Sequence, residues 1–227
     1  MVTTVGLNLF NMKKKIIILG ATGGCFDVLN LINDINKTYK SKKFLVVGFL
    51  EDNLKKSLNG IKILGKFKDA KKYENNHYFV TAIGSAKNFK KNKSILEKLN
   101  IKKKKFISLI HPTANISRYC KIGYGCLIFQ NVTVSSNVKI EDFVQILPNT
   151  VINHDTLVEK YCKINTNCNV SGGVILKKMC YLGAGVIIRE NVFINEKNLI
   201  GMGSVVLKSI NAKNSTILGY PAKIRTK

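Results

Sequence analysis

From residue 116 onward the chain repeats every six residues without an insertion. Ile116, Ile122, Ile128, Val134, Ile140, Ile146, Ile152, Val158, Ile164, Val170, Leu176, Leu182, Ile188, Ile194, Ile200 and Val206 stand in one phase. Sixteen consecutive hits on Leu, Ile or Val exclude a helical period of about 3.6, and simple strand alternation does not produce them. A fixed short repeat is the mark of a solenoid, in which each unit buries its apolar residues against its neighbours.

The position four residues after each hit is restricted too. Fourteen of the sixteen are Cys, Val, Thr or Ser, and five of the six cysteines (Cys120, Cys126, Cys162, Cys168, Cys180) fall there. The cysteines therefore read as small interior fillers with free thiols. That favours a reducing, cytoplasmic compartment, and their spacing is that of the repeat rather than of a zinc site. One short strand per hexad, with one large and one small inward side chain, describes one face of a triangular prism. Three faces, and so three hexads, make one coil, and sixteen hexads give slightly more than five coils.

This pattern resembles the left-handed parallel β-helix of the hexapeptide-repeat acyltransferases over about residues 110–223. The ending "ILGYPAKI" is similar to that family's closing turn.

The N-terminal third has a different texture. "KKKIIILGATGGCFDVLNLIND" (13–34) predicts a buried strand, a glycine-rich turn and a helix. "FLVVGFL" (44–50) and "HYFVTAIG" (77–84) predict two more strands, the last followed by a basic helical stretch to Leu99. Strands alternating with helices imply a small parallel, Rossmann-like sheet. The turn Gly20-Ala21-Thr22-Gly23-Gly24 departs from G-x-G-x-x-G, yet Glu51 and Asp52 stand where a ribose is commonly held. The expected organisation is a flexible leader at 1–12, a Rossmann-like domain at 13–108 and a left-handed β-helix domain at 109–227. With 45% apolar residues a core needs neither metal nor disulfide, and no apolar run is long enough to span a membrane. The net charge of +24 reflects lysines spread along the whole chain, without the clustered aromatic–basic stripes of a nucleic-acid binder.

A parallel domain joined to a hexapeptide β-helix narrows the resemblance. From about 13 to 223 the chain resembles the sugar acetyltransferases of the sialic acid O-acetyltransferase and nucleotide amino-sugar N-acetyltransferase type. "ILGATGG", "GFLEDN", "LIHPTANIS", "INHD", "SGG" and "LIGMGSVVLKSI" carry it. The resemblance implies an N-terminal domain that holds a sugar nucleotide, a β-helix that takes acetyl-CoA, and a homotrimer with active sites between neighbouring helices. It implies His154 as general base, with Asp155 orienting the ring if the backbone turns there. Gly172, one full coil further on, and Gly173 would leave room beside the histidine. Ala184, Gly201 and Met202 would line the pantetheine arm, and Lys208, Lys223 and Arg225 are candidates for the coenzyme A phosphates. On the acceptor side, Gly20, Thr22 and Gly23 would approach a pyrophosphate, Ile83 and Gly84 would flank the nucleotide, and Asp52 or Glu51 would meet the base or ribose. Many relatives carry a second histidine nine residues after the first. Here Lys163 stands there, so either the lysine takes over that polar contact or the acceptor geometry differs. His111 and His77 read as structural.

The expected activity is acetyl transfer to the amino group of a nucleotide-linked amino sugar. The alternatives are an O-acetyltransferase acting on sialic acid or a related sugar, and a non-catalytic sugar-nucleotide-binding trimer. A three-histidine zinc enzyme on this fold is excluded because His154 is the only histidine within the hexad repeat that starts at residue 116.

Overall fold

The computed structural model describes residues 13–39, 43–53, 57–58 and 60–225; the expected leader lies outside them. Strand β1 (Lys14–Leu19) leads through the glycine turn into α1 (Gly24–Thr38), and β2 (Phe44–Leu50) follows. Ile16, Ile17, Ile18 and Leu19 are fully buried, because this central strand is covered on both faces. Helix α1 buries Cys25, Val28, Leu31, Ile32 and Ile35, one stripe at helical spacing. Strands β3 (Ser57–Leu58), β4 (Ile61–Gly65) and β5 (Tyr78–Thr81) complete a sheet of order β3-β4-β2-β1-β5. All its pairings are parallel except β3 with β4.

The expected parallel sheet is present, with β4 as an addition that the sequence reading passed over. "IKILG" is short, sits among lysines, and its burial is only partial. The third expected strand stops at Thr81 rather than Gly84, where φ of +138° turns the chain out of the sheet. The basic stretch beyond forms a 3-10 turn (Phe89–Lys91) and a short helix α2 (Asn92–Lys98).

From Leu109 the chain winds as a left-handed parallel β-helix with three faces. Face one runs through 109–110, 127–128, 145–146, 163–164, 181–182 and 199–200. Face two runs from 115–116 to 205–206, and face three from 121–122 to 193–194. Each strand pairs with the one three hexads on, as Thr133 with Val151 and Val151 with Asn169. The inward hits from Ile128 to Val206 are buried at 2% exposure or less.

Two features explain the repeat beyond its apolar phase. The third residue after each hit, from Gly125 to Gly203, is in the left-handed region at fourteen consecutive corners. Asn, Gly or Asp fill ten of them, the residues that tolerate this backbone best. At the small interior position, thiols and hydroxyls donate to carbonyls 15 residues on. Cys126 Sγ reaches Glu141 O at 3.0 Å, Cys162 Sγ reaches Lys177 O at 3.1 Å, and Thr150 Oγ1 reaches Asn165 O at 2.7 Å. These side chains fill space and also satisfy a buried backbone acceptor.

The top of the helix is closed by a reversal. Thr216–Gly219 adds in parallel to Leu199–Ile200, and Ala222–Ile224 then folds back antiparallel on it.

The α/β unit packs on face one. Leu109, Leu127 and Phe129 share a core with Ile16, Ile18 and Val28. Gln145 Nε2 donates to Thr81 O and Ile83 O at 3.3 and 3.1 Å. At the edge between faces three and one, the rings of Phe143 and Tyr161 stack at 5.2 Å, and Phe106 meets Phe143 edge-on at 5.0 Å. His111 ties the first coil to α1, its Nε2 lying 3.3 Å from Asp34 Oδ2. Among the described residues, no helix is long and apolar enough to cross a membrane.

Candidate active site

His154 follows the face-two strand Val151–Ile152 and occupies the corner between faces two and three. Its side chain is 67% exposed. Asp155 is the left-handed residue of that corner, with φ of +59°. The backbone therefore does turn there, and the two neighbouring side chains meet: His154 Nδ1 lies 2.8 Å from Asp155 Oδ2. This hydrogen bond, with a second from Asn137 Nδ2 at 3.2 Å, holds the Asp155 carboxyl below its ordinary range. An ionised carboxylate only accepts, so Nδ1 is the donor in this pair, and in the neutral ring the lone pair lies on Nε2.

Gly172 lies one coil above, and the imidazole leans over it. A Cβ at Gly172 would stand 2.6 Å from His154 Cε1 and 2.8 Å from Nε2. The Gly173 N–H donates to His154 O at 2.9 Å, which ties that amide into the coil. Among the described residues the Gly172 N–H has no hydrogen-bond acceptor.

The acceptor-side residues gather elsewhere, around the carboxyl ends of β1 and β5 on face one. Gly20 has φ of +97°, and a Cβ there would press on Ile83. Gly23 precedes α1 with no side-chain cap, and a Cβ on it would meet nothing within 4 Å. Thr22 closes the turn by accepting from Cys25 N–H at 2.8 Å. Glu51 is buried and turned inward, accepting from Ala21 N–H at 2.8 Å and Asn53 N–H at 3.3 Å. It shapes the glycine turn. Asp52 accepts from Phe67 N–H at 3.0 Å and lines a separate cavity of about 550 Å³ with Lys66, Lys68 and Lys98. Lys163 crosses the junction between the two units, and its Nζ donates to Gly84 O at 2.7 Å.

Sequence reasoning missed Gln145 and Asp27. Gln145 is buried and grips both Thr81 and Ile83. Asp27, on the first turn of α1, helps line a cavity of about 400 Å³ with Asn30, Gln130 and Thr166. Gln145 and Lys163 stand at the outward position of face one, next to Leu127 and Tyr181. A row that changes character in this way is the signal that this face is covered.

Ala184, Gly201 and Met202 line the edge between faces one and two; Met202 is 80% exposed, and Lys208 is exposed beyond it. One chain thus brings together His154, Asp155, Gly172 and Gly173 at one edge. It keeps Ala184, Gly201 and Met202 across the width of face two, and the glycine turn with Lys163 on face one.

Two family models match the chain, the PglD N-terminal domain over residues 15–99 and the GMPPB C-terminal domain over 106–213. The acetyltransferase domain of PglB from Neisseria gonorrhoeae superposes with a TM-score of 0.82 at 23% identity, over 94% of this chain and 100% of that one. This chain shares that fold, an α/β unit followed by a left-handed β-helix. A variant of GDP-perosamine N-acetyltransferase from Caulobacter crescentus, solved with CoA and GDP-perosamine, has a TM-score of 0.82 at 20% identity, over 94% of this chain and 97% of that one. WeeI from Acinetobacter baumannii gives 0.77 at 24%, over 94% and 100%. Among curated proteins, none matches the chain. The fold resemblance read from the sequence holds across both units of the chain.

Proposed function

We propose that this protein is an acetyl-CoA-dependent N-acetyltransferase acting on the amino group of a nucleotide-linked amino sugar. The observation that carries the reading is the exposed His154 ring, fixed through Nδ1 by Asp155 and standing over Gly172 with Nε2 free. The complexes of the Caulobacter relative with CoA and GDP-perosamine support the choice of cosubstrate and acceptor class.

The chemistry follows from that arrangement. The sugar amine attacks the thioester carbonyl carbon and forms the C–N bond. His154 Nε2 accepts the proton that the amine loses, and Asp155 balances the imidazolium. The negative charge on the carbonyl oxygen is met by the Gly172 N–H. The C–S bond then breaks, and the coenzyme A thiolate takes back the proton. Ala184, Gly201, Met202 and Lys208 would hold coenzyme A; Gly20, Thr22, Gly23, Ile83, Gly84 and Lys163 would hold the sugar nucleotide.

The active unit in this reading is a homotrimer. His154 and the glycine turn lie on different sides of one prism, so a site needing both is built from the His154 edge of one copy and the face-one side of its neighbour. Incubation with acetyl-CoA and a panel of UDP-, dTDP- and GDP-linked 3-amino and 4-amino sugars, followed by thiol release, tests the proposal. His154→Ala should lower turnover by roughly a hundredfold or more while leaving coenzyme A binding intact. Turnover near the wild-type rate in that variant would remove the general base. Transfer to free sialic acid, and to none of the nucleotide sugars, would favour O-acetylation instead.

A further inference from the structure

Most of the lysines behind the net charge of +24 project into solvent. Lys163 does not. Its stem runs from face one into the junction with the α/β unit, and its ammonium meets one neutral acceptor, Gly84 O at 2.7 Å. Among the described residues no carboxylate forms an ion pair with it. Burial pushes its pKa down, and Asp27 pulls the other way from beyond contact distance. The half-buried ammonium has one carbonyl partner, keeps two N–H donors unused, and leaves its charge without a paired carboxylate. A fold retains such a group most readily where a ligand supplies the missing negative charge.

The surroundings indicate which ligand. Gly84 belongs to the Ala82–Gly84 segment that backs the glycine turn. A Cβ on Gly20 would touch Ile83 Cγ1 at 3.3 Å, and one on Gly24 would lie 3.6 Å from Ala82 O. The turn opens the fifteen-residue helix α1, whose first amides have no side-chain cap. Its dipole adds positive potential on the same side as Lys163. Two sources of positive charge, one from each unit of the chain, thus converge; Glu51 holds Ala21 N–H on the inner side of the turn and Asp27 stands on the first turn of α1, but neither forms an ion pair with Lys163.

We propose that Lys163 is the β-helix's counter-charge for the diphosphate of the nucleotide-linked substrate, completing a phosphate site that the glycine turn begins. The inference rests on the nucleotide-linked acceptor proposed above. Lys163 thereby makes the β-helix a direct participant in holding a ligand seated on the α/β unit.

Calorimetric titration with UDP, GDP and dTDP, their parent nucleosides, and coenzyme A separates the possibilities. The wild-type protein should bind at least one nucleoside diphosphate. Lys163→Met should weaken that diphosphate at least tenfold, leaving the parent nucleoside and coenzyme A within about twofold, and Lys163→Arg should recover part of the loss. Melting temperature and native mass of each variant report whether it has folded. Should the Met variant fail to fold, Lys163→Gln, which keeps a donor to Gly84 O but no charge, carries the same expectation. Equal diphosphate affinity in a folded uncharged variant and wild type would overturn the role of Lys163 alone. Absence of binding by the wild type to all three diphosphates would overturn it together with the nucleotide-linked reading.

Discussion

At the residue scale, the candidate site depends on Gly172 having no side chain. A methyl group there would occupy the place of His154 Cε1 and Nε2, so the ring must swing away. Gly172→Ala should lower kcat on the order of a hundredfold, because a displacement of about 1 Å at a reacting group has that effect. The fold should persist, since Gly172, unlike Gly173, has no left-handed φ to protect. Steady-state kinetics beside a melting curve checks both halves. The stacking of Gly172 by His154 was legible from their spacing of one full coil. The side on which Asp155 falls was not. Strict alternation would have put it opposite the histidine, and only the left-handed corner brings the two together. That corner was written in the sequence as Asn, Gly or Asp three residues after many hits. Phe143, Tyr161, Met179 and Lys197 interrupt the pattern, and two of them are bulky because they stack against the aromatic junction.

At the scale of elements, each coil is held by apolar hits and by a ladder of buried thiols and hydroxyls. Burial pushes the Cys126 and Cys168 thiols from an ordinary 9.0 up to about 11. The folded state keeps these protons at a pH where the unfolded chain has released them. The stabilisation is therefore complete below about pH 9 and disappears as pH rises from 9 to about 11. Thermal melts across that window should show a falling midpoint, and Cys126→Val with Cys168→Val should flatten the fall. A midpoint independent of pH in that window would contradict the assignment. The β-helix was almost fully legible because one six-residue rule governs every element of it. The α/β sheet was legible at its centre, where Ile16–Leu19 form an uninterrupted buried run. It was not legible at the edge, where β4 is half exposed and its residues answer to neighbours remote in sequence.

At the scale of the whole molecule, the two halves of the candidate site lie on different sides of one chain. Light scattering should return three times the mass of one chain. Gly23→Trp should fold, since a Cβ there meets open space, yet block the turn. Co-expressed with His154→Ala it should restore turnover, with about a quarter of sites intact in randomly mixed trimers. Two variants that stay inactive together would mean that each chain serves itself. The junction escaped the sequence reading because Gln145 and Lys163 acquire their partners only when face one is covered by residues more than 60 positions earlier. The closing reversal has its own consequence. A stack of parallel strands offers at its last rung the same edge that every rung before it used, and another molecule could continue the ladder. Because Ala222–Ile224 runs the opposite way, that rung presents the wrong polarity on face one, and the rod is discouraged from growing end to end into a filament.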